Sequence, residues 1–122
     1  MRKTIIIIDD SPFVEFQVKD MVEGEEYEVI GSAQNGTDGI ALYKELQPDY
    51  VILDIIMPGI DGLETAAILL SDYPDARIIM LSSVFDEETF EAIKEVGVSY
   101  LLPKPVEKEA LFDTLQRFSR SK

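Results

Sequence analysis

Short unbroken apolar runs alternate along this chain with stretches in which apolar residues recur every three or four positions. Thr4 to Ile8 is β-branched throughout and suits a parallel strand covered on both faces. Asp9-Asp10-Ser11-Pro12 follows, with Ser11 as a helix N-cap and Pro12 at the first helical position. Val14, Val18, Met21 and Val22 then repeat at helical spacing. Tyr27 to Ala33 predicts a second strand. Asn35-Gly36 reads as a turn before a helix carrying Ile40, Leu42, Tyr43 and Leu46, which Pro48-Asp49 stops. Tyr50 to Leu53 predicts the third strand, ending in Asp54. Asp61 can cap the next helix with Glu64 as a capping-box partner, and Leu63, Ala66, Ala67 and Leu70 form its expected buried stripe. Arg77 to Leu81 predicts the fourth strand, running into Ser82-Ser83. Asp86 is a candidate N-cap for a helix with Phe90, Ile93 and Val96 inward and Gly97 at its C-terminal end. Ser99 to Leu102 predicts a short fifth strand, ended by Pro103-Lys104-Pro105. Leu111, Leu115 and Phe118 mark the last helix.

Strands alternating with helices imply a parallel sheet with helices on both faces. Right-handed crossovers leave few topologies. A flavodoxin-like (βα)5 fold with strand order 2-1-3-4-5 fits five units and puts a crevice between strands 1 and 3. The length of 122 residues suits one domain over 1–122.

Composition narrows the function. A net charge of -13 argues against direct nucleic-acid binding, which needs clustered Lys and Arg, and against docking on anionic membrane. The chain has no Cys and no His, so any metal must be held by oxygen. No apolar run approaches a membrane span, and a cytoplasmic location is expected. The acidic segments Glu23-Gly24-Glu25-Glu26 and Asp86-Glu87-Glu88 read as solvated faces; Glu87, Glu88, Glu91 and Glu95 could instead form a docking patch for a basic partner.

The informative polar residues end the strands: Asp9 and Asp10 after the first, Asp54 after the third, Ser82 and Ser83 after the fourth, Lys104 after the fifth. In the expected order these groups converge on one edge. Carboxylates at close quarters repel unless a cation sits between them, and Mg2+ is the natural hard cation for such a site. A carboxylate nucleophile, a metal, a lysine and a hydroxyl together describe phosphoryl transfer to an aspartate.

These motifs resemble the bacterial two-component response-regulator receiver domain of the CheY-like kind. The resemblance rests on Asp9-Asp10, Asp54 with Met57-Pro58 and Asp61-Gly62, Ser82, and Lys104-Pro105, in order and over nearly the whole chain. It implies that Asp54 is the phospho-acceptor. Asp10, Asp54 and the carbonyl of Ile56 would bind Mg2+ directly, with Asp9 acting mainly through water. Lys104 would contact the phosphoryl group, Ser82 would hydrogen-bond it and move toward it, and the Lys104-Pro105 peptide would be cis. The donor would be a phosphohistidine on a sensor histidine kinase or histidine phosphotransfer protein. The chain would then be a signalling switch rather than a conventional enzyme, although it would catalyse its own phosphorylation and dephosphorylation. Its output would pass through the face of the fourth helix, fifth strand and fifth helix to a downstream protein or attached output domain, and a phosphorylation-linked dimer is compatible with this reading. The chain ends about where the last helix does, which fits a stand-alone receiver or a module cut from a longer regulator.

Two departures stand out. The family usually carries an aromatic residue three positions before the lysine; here that position is Leu101, and Tyr100 sits one residue earlier. Alternation along a strand puts Tyr100 on the opposite face, so either a bulge restores it or the aromatic part of the switch is missing. The expectation is the second. Ile56 and Val84, two residues after Asp54 and Ser82, are apolar and cannot orient an attacking water, so a slowly hydrolysing aspartyl phosphate is expected. The rival functions are a phosphorelay intermediate, an aspartate-dependent phosphatase of small molecules, and a constitutive pseudo-receiver. The phosphatase would need a second acid/base carboxylate and a substrate cap, and the intact Asp10, Asp54, Ser82 and Lys104 set argues against the pseudo-receiver.

Overall fold

The computed structural model describes residues 2–24 and 26–120, with the side chains of Ser119 and Arg120 outside that description. Glu25 of the first acidic segment and the terminal Ser121 and Lys122 also lie outside it. The elements follow in strict alternation: β1 (Lys3–Ile8), α1 (Pro12–Val22), β2 (Tyr27–Ala33), α2 (Gly36–Leu46), β3 (Tyr50–Asp54), α3 (Gly62–Asp72), β4 (Ile78–Ser82), α4 (Glu87–Val96), β5 (Tyr100–Pro103) and α5 (Lys108–Arg120). The five strands form one sheet in the order β2-β1-β3-β4-β5, and every neighbouring pair is parallel. The expected flavodoxin-like order is therefore the observed one.

The continuous apolar strands are explained by burial on both faces. Ile6 and Ile8 of β1, Val51 and Leu53 of β3 and Met80 of β4 pack toward α2, α3 and α4. Ile5, Ile7, Tyr50, Ile52, Ile79 and Leu81 alternate with them and pack toward α1 and α5. Each fully buried aliphatic side chain contributes roughly 1.5–3 kcal/mol of gross transfer energy. A sheet so committed on both sides holds its strand ends rigidly, which matters for the groups at the carboxyl edge. On the α5 side, Phe112 packs edge-on to Tyr27, Tyr27 to Tyr50, and Phe118 against both Tyr50 and Tyr100. This aromatic ladder pins α5 to the sheet. The Tyr27 hydroxyl is buried with no hydrogen-bond partner among the described residues, and burial pushes it up to about 12.

Two expectations need correction. Asn35-Gly36 does not form a separate turn: Asn35 Oδ1 accepts from the Asp38 N–H at 2.8 Å, and Gly36 is already helical. Gly36 packs where a side chain would overlap the Thr65 hydroxyl, so a glycine starts this helix for reasons of space. On α3 the buried positions are Gly62, Thr65, Ala66 and Leu69, while Leu63 and Leu70 are partly buried and Ala67 faces solvent. The inward stripe thus runs 62-66-69, at the helical period. Ser11 is the N-cap of α1 and Pro12 lies in its first turn, as expected; the Ser11 side chain makes no cap bond, and its carbonyl accepts from the Val14 and Glu15 N–H groups. Asp61 and Asp86 do cap α3 and α4, accepting from Glu64 N–H at 2.9 Å and Thr89 N–H at 2.8 Å.

Candidate phosphoryl-acceptor site

The carboxyl ends of β1, β3, β4 and β5 lie side by side because the strand order is 2-1-3-4-5. Asp9 leaves β1 with its N–H on the Ala33 carbonyl, so its side chain turns inward over the sheet end. Asp54 is the last residue of β3, pairs with Leu81, and passes directly to Ile55, whose N–H donates to the Leu81 carbonyl. Ser82 closes β4. Pro103 opposite it has no N–H, which an edge strand tolerates, and the ladder resumes with Lys104 N–H on the Ser82 carbonyl at 2.9 Å. That bond sets where the lysine side chain begins, and the Lys104-Pro105 peptide that follows is cis.

Lys104 Nζ lies 3.0 Å from Asp9 Oδ2 and 3.2 Å from Asp54 Oδ1. Both carboxylates are buried, whereas Asp10 is exposed. Asp9 Oδ1 accepts from the Ser11 N–H at 2.9 Å; its Oδ2 is buried without a well-aligned donor and is met by the lysine as an ion pair. Burial, and then the Asp9 charge, push the Asp54 carboxyl above the usual carboxylate range, against the pull of Lys104. Burial also works against the Lys104 charge, but its contacts with Asp9 and Asp54 outweigh it and hold the ammonium above its ordinary value. The site therefore stores uncompensated negative charge that one lysine only partly offsets.

Asp9, Asp10 and Asp54 can each offer a carboxylate oxygen with all three atoms within 4.8 Å of one another. This donor set fits a hard divalent cation: the ligands are oxygens, the buried Asp9 Oδ2 is met by the Lys104 ion pair without a well-aligned hydrogen bond among the described residues, and Asp10 opens the group to solvent. The Ser82 hydroxyl is buried and accepts from the Val84 N–H at 2.9 Å. Ile56 and Val84 are exposed around the rim, at 61% and 44%.

Sequence reasoning placed Asp9, Asp10, Asp54, Ser82 and Lys104, and the structure brings Asp9, Asp10, Asp54 and Lys104 together at one edge with Ser82 on the neighbouring strand end. Leu101 and Tyr100 part company. Pairing of β5 with β4 runs without a register shift, so no bulge rotates Tyr100. Leu101 is buried toward α4, and Tyr100 packs on Phe118 of α5 with ring centroids 4.7 Å apart. Sequence reasoning missed the exposed aromatics Phe13 and Phe16 on α1 and Phe85 before α4. The signal was available for α1: Phe13 and Phe16 fall off the Val14-Val18-Val22 stripe, so they cannot be core residues.

The response regulator receiver domain family matches this chain over residues 5–116. The chain belongs to that family. It is 34% identical to the chemotaxis protein CheY of Thermotoga maritima, covering 98% of this chain and 100% of the relative. Among solved structures, the receiver resembles Vibrio cholerae chemotaxis protein CheY4, with a TM-score of 0.88, 29% identity and coverage of 97% and 99%. It also resembles a chain of the CheX–CheY–BeF3–Mg2+ complex of Borrelia burgdorferi, with a TM-score of 0.89, 26% identity and coverage of 94% and 87%. Receivers of this family act in two-component signalling through an aspartyl phosphate. Among the described residues, no helix is long and apolar enough to cross a membrane.

Proposed function

We propose that this single receiver domain, residues 1–122, takes a phosphoryl group from a partner phosphohistidine onto Asp54 and uses it to bias the α4–β5–α5 face toward a protein target. The carrying observation is the Lys104 ammonium held between the buried Asp9 and Asp54 carboxylates. An Asp54 carboxylate oxygen attacks phosphorus, the P–N bond to the donor histidine breaks, and its electron pair leaves with the imidazole. Asp10, Asp54 and the Ile56 carbonyl would hold Mg2+ directly and Asp9 through water. Bound there, the ion supplies positive charge against the phosphoryl oxygens and the carboxylates. Lys104 neutralises a further phosphoryl oxygen as a compact point charge, and Ser82 donates its hydroxyl to another. Contacts made with the phosphorylated state alone then shift a two-state equilibrium. The face that reads this shift contains a groove of about 260 Å3 lined by Phe90, Tyr100, Leu101, Ala110, Thr114 and Arg117.

The donor's approach is supported by α1. Phe13 and Phe16 are 66% and 68% exposed, and a cavity of about 300 Å3 runs from Phe13, Val14 and Gln17 to Lys104, Pro105 and Val106. An apolar patch that reaches Lys104 at the acceptor site suits the histidine-bearing partner, which must bring its phosphoryl group to Asp54. Phe13→Ala with Phe16→Ala is expected to slow transfer from a phosphohistidine protein at least tenfold while leaving transfer from acetyl phosphate unchanged, at about 0.7 kcal/mol or more per ring. Equal slowing with both donors would remove α1 from the docking surface.

The apolar Ile56 and Val84 at the rim support a long-lived phosphate. After the donor is removed, the bound phosphoryl group is expected to persist, and Ile56→Asn is expected to shorten its lifetime several-fold by giving water a partner. Fast loss from the parent would contradict this. Such persistence also favours a relay role, which would show as rapid transfer of the label to an added histidine phosphotransfer protein.

A further inference from the structure

Leu101 occupies the position where a ring was expected, and Tyr100 is committed to Phe118 on the other face of the sheet. The connection from β4 to α4 carries a ring of its own. Ser82 Oγ accepts the Val84 N–H at 2.9 Å, and Phe85 follows directly, half exposed. The Phe85 ring meets Phe90 edge-to-face, with centroids 4.8 Å apart and planes at 75°. Phe90 packs against the core that contains Leu101 and lines the same groove as Leu101 and Tyr100. Asp86 anchors the start of α4 through the Thr89 N–H, so the free travel falls on Ser83 to Phe85.

We propose that Phe85 is the aromatic element that reports the state of Ser82 in this protein, transmitting it through Phe90 to the α4–β5–α5 groove. The inference rests on Asp54 being the phosphoryl acceptor. A serine hydroxyl that turns toward Asp54 to donate to a phosphoryl oxygen carries its acceptor lone pairs away from Val84. The Val84 N–H then needs another acceptor, and the short segment that shifts to find one bears Phe85. An edge-to-face pair has a preferred geometry, so the shift is felt by Phe90. The ring thus sits on the loop after Ser82 instead of on β5, and acts as a positioning residue rather than a catalytic one.

The chain contains no tryptophan, so Phe85→Trp supplies a single tryptophan, excitable apart from the five tyrosines, at an exposed site. Its emission is to be measured with Mg2+ before and after beryllofluoride, a phosphoryl mimic, while the 19F signal of bound beryllofluoride reports occupancy of the acceptor site separately. The expected result is an emission shift on binding that disappears in Ser82→Ala and returns in Ser82→Thr. Phe90→Leu is expected to reduce the shift without reducing occupancy. Bound beryllofluoride with no emission change, or an equal change in Ser82→Ala, would overturn the role of Phe85 and leave the acceptor reading intact. Absence of binding, together with no phosphorylation of Asp54, would overturn the acceptor reading and this inference with it.

Discussion

Gly62→Ala is expected to lower the unfolding free energy by about 3 kcal/mol or more and to disable the site at the same time. A Cβ at Gly62 would overlap the Asp54 carbonyl oxygen and lie 2.6 Å from Ile55 Cα. These are backbone atoms of the segment that carries the acceptor carboxylate, and they cannot move aside as a side chain can. The Gly62 N–H also donates to the Ile55 carbonyl at 2.6 Å, closing the loop from Asp54 to α3. Gly39 makes the useful contrast, since a Cβ there would crowd side-chain atoms of the buried Ile8, at 2.5 to 2.8 Å, and no backbone atom. Gly59 has open space but a φ of 78°, so its alanine variant faces a conformational cost of only ~1 kcal/mol. Urea midpoints for the three variants check the order, with Gly62→Ala well below Gly59→Ala. Equal losses would mean that the loop is not held against Gly62 as described.

Lys104→Ala is expected to slow phosphorylation by acetyl phosphate by roughly 10²–10³-fold, the usual cost of removing one preorganised group that stabilises developing charge. Two buried carboxylates would also lose the cation between them. In metal-free buffer the variant is therefore expected to be less stable than the parent, by about 1–3 kcal/mol given that the lysine sits at the rim. Mg2+ should restore more stability to the variant than to the parent, because binding to the folded state alone stabilises in proportion to affinity and no ammonium now competes. Lys104→Arg is expected to recover stability but not rate, since a planar fork does not replace a compact point charge. A Lys104→Ala variant that phosphorylates at the parent rate would show that the lysine serves structure only.

The site was readable in the sequence because parallel strands are short and their ends are marked by abrupt changes from apolar to charged residues. Asp54 after Tyr50–Leu53 and Lys104 between two prolines could be assigned to one sheet edge once the strand order was inferred. What the letters did not carry was depth. Asp9 and Asp10 look equivalent in sequence, yet Asp9 turns inward to meet Lys104 and Asp10 faces solvent, a difference made by the exit of β1 and the Asp9–Ser11 turn. Ala67 and Leu69 exchange roles because a one-residue change of helical phase is invisible in an apolar-rich helix. Phe85 was overlooked because a lone ring in a loop has no periodicity; its meaning depends on the Ser82–Val84 bond and on Phe90.

The most direct test is to treat the protein with acetyl phosphate and Mg2+ and to locate the added phosphoryl group by mass spectrometry. One phosphoryl group is expected on the peptide containing Asp54, at that residue, and none on Asp54→Ala. Equal modification of Asp54→Ala, or a parent that stays unmodified with Mg2+ present, would contradict the assignment of Asp54 as the acceptor.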